Sequence, residues 1–119
     1  MLLTEHIAAY LESQGFPCAL CAPLPDTPDR ALSVLASALR PGGDPEGSRF
    51  QITVRSQRNM DTALPDSMGI IELLHNFTGR LTPDSPHVQR IRLESGAASL
   101  GEDASGRASY SMNFRAWHQ

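Results

Sequence analysis

The sequence predicts an α+β fold: a mainly antiparallel four-stranded sheet with two helices packed on one face, in the order α-β-β-α-β-β. Three observations carry that prediction. Residues 2–14 and 61–77 repeat apolar side chains at helical spacing, while residues 49–55, 89–94 and 107–117 alternate apolar with polar. A chain of 119 residues fits one domain with one core. Helices and strands that do not alternate as βαβ units favour helices gathered on one side of an antiparallel sheet.

The first helix places Leu3, Ile7 and Leu11 on one face, with Tyr10 beside them and Glu5, Glu12 and Gln14 turned away. His6 and Tyr10 read as its polar rim. Gly15 supplies a left-handed terminating residue, and Pro17 prevents the helix from resuming. Residues 23–30 are a proline-punctuated turn, excluded from helix and central strand alike. Residues 31–39 fit two patterns: Leu32, Val34 and Ala36 alternate as in a strand, and Leu32, Leu35 and Leu39 recur as in a helix. The turn before this run and Pro41-Gly42-Gly43 after it frame a short segment, which favours the strand.

Residues 49–55 alternate strictly, with Phe50, Ile52 and Val54 inward. In the second helix Leu64, Met68, Ile71 and Leu74 form the predicted stripe, widened by Ile70, Leu73 and Phe77. Asp61 is its candidate cap, and Pro65 is compatible with the first turn alone. Ile91 and Leu93 face inward in the third strand. In the last, Ala108, Tyr110, Met112, Phe114 and Ala116 line one face, and Ser109, Ser111, Asn113 and Arg115 the other. Residues 95–106, rich in Gly, Ala, Ser and Asp, read as a loop longer than a hairpin needs.

Net charge is −3 and the sequence pI is near 5.7, so no global basic field attracts nucleic acid or an anionic membrane. All ten cations are Arg. The planar guanidinium pairs bidentately with carboxylates and sheds water more readily than Lys, which suits a surface covered by other protein. A coding bias gives the same composition. No segment reaches the roughly 18 apolar residues that span a bilayer. The first residues lack the cationic and apolar blocks of a secretory leader, so a reducing cytosol and free thiols are expected.

Cys18-Ala19-Leu20-Cys21 is the sharpest catalytic-looking string. Zinc would require two further ligands at matching spacing, and a redox pair belongs at a helix N-terminus that Pro23 and Pro25 forbid. Buried thiols acting as small hydrophobes are the expectation, against a small thiol- or metal-dependent enzyme. His6, His75, His87 and His118 are scattered, and Glu102-Asp103 reads as a solvated acidic turn. Gly42-Gly43 lacks the helix and Lys of a phosphate loop. No catalytic, cofactor-binding or metal-binding residue is assigned. Arg49, Arg55, Arg90, Arg92 and Arg115 point outward as a possible basic stripe, without the exposed aromatics of a single-strand binder.

Two strings carry a resemblance. Pro25-Asp26-Thr27-Pro28-Asp29-Arg30-Ala31-Leu32-Ser33-Val34 is similar to the turn and first strand of bacteriophage minor capsid or tail-terminator proteins. Leu100-Gly101-Glu102-Asp103-Ala104-Ser105-Gly106-Arg107, followed by Tyr110-Ser111-Met112-Asn113-Phe114, resembles their ending, although Glu102 stands where Arg is usual. The resemblance implies a structural virion subunit without enzymatic activity or cofactor. Such a subunit closes into a ring, commonly of six, at the head-proximal end of a long tail. It would stop the tail tube protein from polymerising and meet the head-completion or connector protein, with DNA passing through unread. Assembly in the host cytoplasm follows. Another head–tail connector component is the alternative within the same class. On this reading Asp103, Gly106 and Arg107 are candidate subunit-interface residues.

Overall fold

The computed structural model describes residues 2–119. Its elements are α1 (Leu3–Ser13), β1 (Ala19–Leu20), β2 (Ala31–Ala38), β3 (Ser48–Arg55), α2 (Ala63–Leu74), β4 (Gly79–Arg80), β5 (His87–Glu102) and β6 (Ala108–His118). The strands form one sheet in the order β1-β2-β3-β6-β5-β4. β1 runs parallel to β2 and every other pairing is antiparallel, so the sheet is mixed and curls into a half-barrel.

This corrects the expected four-stranded, mainly antiparallel sheet. The order is α-β-β-β-α-β-β-β, with six strands. The two unforeseen strands are two residues long each. A pair of residues has no hydrophobic period to read, and these become strands because a neighbour supplies the ladder. Ala19 pairs with Leu32, and Gly79 with Val88.

A second correction concerns residues 95–106. β5 continues to Glu102 opposite β6, and the turn shrinks to residues 103–107. The run Ser95-Gly96-Ala97-Ala98-Ser99 has no alternation of its own, so the patterned Ser109–Asn113 stretch facing it imposes the strand. The register slips at several bulges, between Leu93 and Ser95, Ser95 and Ala98, and Ser99 and Gly101. Residues 31–38 form a strand, the framed alternative of the two patterns there.

The core lies between the helices and one face of the sheet. Phe50 and Phe114 stack across β3 and β6 with ring centroids 5.4 Å apart. Ile52, Val54, Met112 and Ile91 extend that layer beneath Ile7 and Leu11 of α1 and Ile70 and Leu74 of α2. In α1 the predicted stripe is buried, and Glu5 reaches back to accept the Leu2 N–H at 2.8 Å. His6, expected at the rim, is buried instead, with Nδ1 2.9 Å from the Thr82 hydroxyl.

α2 is shorter than residues 61–77 and rotated from its predicted face. Ala63, Asp66, Ser67, Ile70 and Leu74 are buried, while Leu64 and Met68 are 42% and 57% exposed. The helix is apolar nearly all round, so hydrophobicity alone does not set its rotation. Asp66 sets it, by accepting two hydrogen bonds from Arg30, at 2.8 and 2.6 Å. Asp61 does accept the Leu64 N–H at 3.1 Å, and Ser56 Oγ that of Ala63 at 2.8 Å.

Phe114→Ala removes half of the stacked pair and should cost about 3–5 kcal/mol. Ser111→Ala, buried on the helix-free face of the same strand but losing only a hydroxyl, should cost about 1 kcal/mol or less. Urea unfolding of both variants checks the strand register.

Candidate assembly interface

At the end of the sheet where β3 finishes and β6 begins, two arginines are buried: Arg55 and Arg107, each 6% exposed. Alternation along β3 puts Arg55 on the helix-free face, and it was expected to point outward. The turn 25–30 folds over it instead. Arg55 donates to the carbonyls of Asp29, Pro25 and Pro28 at 2.7, 2.5 and 2.8 Å. A proline-rich turn makes few backbone ladders, so these carbonyls need donors from elsewhere, and one guanidinium supplies three.

Arg107 leaves the hairpin turn and enters the same cluster. Its Nε donates to Asp103 Oδ2 at 2.8 Å, and Nη1 donates to the Asp26 carbonyl at 2.8 Å and to Asp29 Oδ1 at 3.3 Å. Asp103 in turn accepts the backbone N–H groups of Ser105 and Arg107, at 2.9 and 3.0 Å, which closes the turn. Arg58 adds its Nε to the Asp29 carboxylate at 3.1 Å. Gly106 sits at φ +77°, and a Cβ there would lie 2.9 Å from Asn59 Oδ1, so the turn packs flush against the segment before α2.

These contacts shift the ionisations. Asp29 is held below the ordinary carboxylate value, chiefly by the Arg58 hydrogen bond, and Asp103 likewise, chiefly by the Arg107 backbone N–H. Burial lowers the Arg55 value, with Arg107 nearby adding to the effect, and the Asp103 hydrogen bond raises that of Arg107.

The structure therefore joins all three sequence-predicted residues, Asp103, Gly106 and Arg107, in one turn, and ties that turn to the 25–30 segment. Sequence reasoning missed Arg55, Arg58, Asp26 and Asp29 as members. The available signal was the pair of acids in Pro25-Asp26-Thr27-Pro28-Asp29, which take their cations from Arg58 and Arg107, both far along the chain.

The other candidate strings fall elsewhere. Cys21 is exposed and Cys18 half-buried with φ +50°, which corrects the expectation of buried thiols. Partial burial nonetheless raises the Cys21 thiol above its usual value, with Thr4 opposing through a hydrogen bond. His75 Nδ1 accepts the Leu93 N–H at 3.1 Å. Among the described residues no group of three or more His, Cys, Asp or Glu is arranged to hold a metal. No described helix is long and apolar enough to cross a membrane.

Asp29 and Asp103 have folded-state values below the ordinary 3.8, so their stabilisation is complete above that pH and is lost as pH falls through the depressed values. Asp103→Asn should thus lower the melting temperature at neutral pH and flatten its decline in acid, as read by scanning calorimetry across pH. Cys18→Ser with Cys21→Ser should leave the neutral-pH melting temperature close to that of the wild type, since neither sulfur is a core atom.

No curated protein matches the chain. A family profile described as "Bacteriophage tail terminator protein" matches residues 10–117. That match takes in the 25–30 turn, all but the last residue of the β5–β6 hairpin and both arginines that join them, and the chain belongs to the bacteriophage tail terminator protein family.

Proposed function

We propose that this chain closes into a ring, of six copies, at the head-proximal end of a phage tail, where it ends tail-tube polymerisation and joins the tail to the head. The family is one of structural virion proteins of the tail, and its members work with tail and head components. In the finer reading, the ring sits on the last layer of the tail tube protein and presents its other side to the head-completion or connector protein. DNA passes through without base recognition, and assembly occurs in the host cytoplasm.

The observation that carries the ring is the β5–β6 hairpin. From Glu94 to Glu102 nearly every residue of β5 is exposed, and beyond Leu93 no strand among the described residues pairs with its outer edge. An unpaired edge of this length is a template for another chain. The Asp103–Arg107 turn gives the arm a fixed tip, because the Asp103 carboxylate that accepts its backbone N–H groups is itself held by the buried Arg107 guanidinium. Head-to-tail contacts through such an arm close into a ring when the rotation between copies allows it. Asp103, Gly106 and Arg107 thereby act at the subunit boundary by shaping the surface presented there.

Tails assembled with the protein should stop at one length, and tails assembled without it should be polydisperse and carry no heads, as read by negative-stain microscopy. Ser105 lies exposed at the tip, so Ser105→Trp should preserve the melting temperature while blocking ring formation. Full rings from Ser105→Trp would place the boundary away from this turn.

A further inference from the structure

On the helix-free face, at the far end of the same strands, three arginines stand in one cross-strand row. Arg49 of β3 pairs in register with Arg115 of β6, which pairs in register with Arg92 of β5. Like charges directly opposite one another on a sheet destabilise it. One carboxylate holds them: Glu94 lies 3.6 Å from Arg49, 3.3 Å from Arg115 and 3.4 Å from Arg92. Arg92 and Arg115 also lie over the Trp117 ring, at 5.5 and 5.9 Å from its centroid, which fixes their planes.

The row has more donors than acceptors. Each guanidinium offers five N–H groups, and a carboxylate accepts about four hydrogen bonds. Arg115 Nε is buried and, although near Glu94, makes no hydrogen bond. Arg49 and Glu94 also line a groove of about 420 Å³ that crosses four strands, together with Ser37, Phe50, Ser95, Asn113 and Phe114. Two of the side chains are open to an incoming group, Arg49 at 54% exposure and Arg92 at 43%.

The opposite end of the hairpin has the reverse imbalance. Arg58 and Arg107 pair there with Asp26, Asp29 and Asp103, Asp61 accepts a hydrogen bond from Tyr110, the exposed Glu102 adjoins Asp103 in the chain, and the Asp26 side chain is 92% exposed. Glu94 and Glu102 are separated along β5 by about 25 Å at the strand rise per residue. One chain thus carries an arginine row beside a groove and a carboxylate-rich tip on two different patches. Different, complementary patches are what a head-to-tail contact requires.

We infer that the Arg49–Arg115–Arg92 row is the receiving site for the carboxylate-rich tip of a second copy of this chain, with Glu102 and Asp26 as the entering groups. The inference rests on the ring reading above and adds which surfaces meet. The complementary acids are on this same chain, and its net charge of −3 provides no field that would favour DNA at this site.

The test is a charge exchange. Arg49→Glu with Arg92→Glu makes one variant, and Asp26→Arg with Glu102→Arg the other; all four side chains are exposed, and far-UV circular dichroism checks folding. Each variant alone should need about tenfold or more higher concentration to assemble than the wild type, by sedimentation. An equimolar mixture should recover rings, with the two variants alternating. Wild-type assembly should also weaken as salt rises. Rings formed by either variant alone at wild-type concentration overturn this site and leave the ring reading standing. So does a wild type that binds a short DNA duplex through Arg49 and Arg92 while the variants assemble normally. A wild type that stays monomeric both in solution and on tails overturns the ring reading, and this site with it.

Discussion

Arg55 and Arg107 bury two positive charges side by side where the sheet meets the 25–30 turn, and the rest of the structure is arranged to make that tolerable. Two guanidiniums taken out of water repel each other and lose hydration. Three backbone carbonyls satisfy Arg55, while Asp29 and Asp103 meet Arg107 together with the Asp26 carbonyl. The arrangement spans the chain, because the turn precedes β2, Arg55 ends β3 and Arg107 precedes β6. It also reaches α2, since Arg30 at the end of the same turn grips Asp66 and so sets the rotation of the helix. Removing either buried guanidinium would leave carbonyls or carboxylates without donors inside the fold, which is costlier than the net worth of the bonds themselves.

The same cluster explains how a mobile-looking segment becomes a defined surface. Glycine, serine and alanine in residues 95–106 provide little packing, and β5 is bulged along that stretch. What fixes its end is polar: Asp103 caps the turn, Gly106 packs against Asn59, and Arg107 anchors both to the sheet. A rigid tip on a thinly packed arm is suited to docking, because little entropy remains to be lost on contact. Arginine suits both ends of the hairpin for a common reason. Its planar fork can be buried under carbonyls at one end and stacked on Trp117 at the other, and Lys could do neither as well.

The exposed apolar stripe of α2 is a consequence of the polar constraint. With Asp66 directed to Arg30, Leu64 and Met68 face away from the sheet, and the small Ala63 and Ser67 take the inner positions. A helix that is apolar on both sides would ordinarily be buried on both sides. The ring proposed above would give this second apolar face a partner outside the monomer.

The sequence by itself determined the elements that have a period: α1 with Leu3, Ile7 and Leu11, β3 with Phe50, Ile52 and Val54, and the Met112/Phe114 face of β6. Burial of one face is a local requirement, repeated every two or about four residues, so it can be read from a short window. Strings around Pro25–Asp29 and Asp103–Arg107 also carried the family and three residues of the candidate interface. Tertiary structure decided the rest. β1 and β4 exist because β2 and β5 offer them a ladder, and β5 is prolonged because β6 lies beside it. α2 turned to satisfy one carboxylate, and Arg55 turned from a presumed surface charge into a buried clasp. In each of these cases the deciding partner lies far away in sequence. Hydrogen-bond demand, unlike hydrophobic period, leaves no repeat along the chain that would disclose where the partner is.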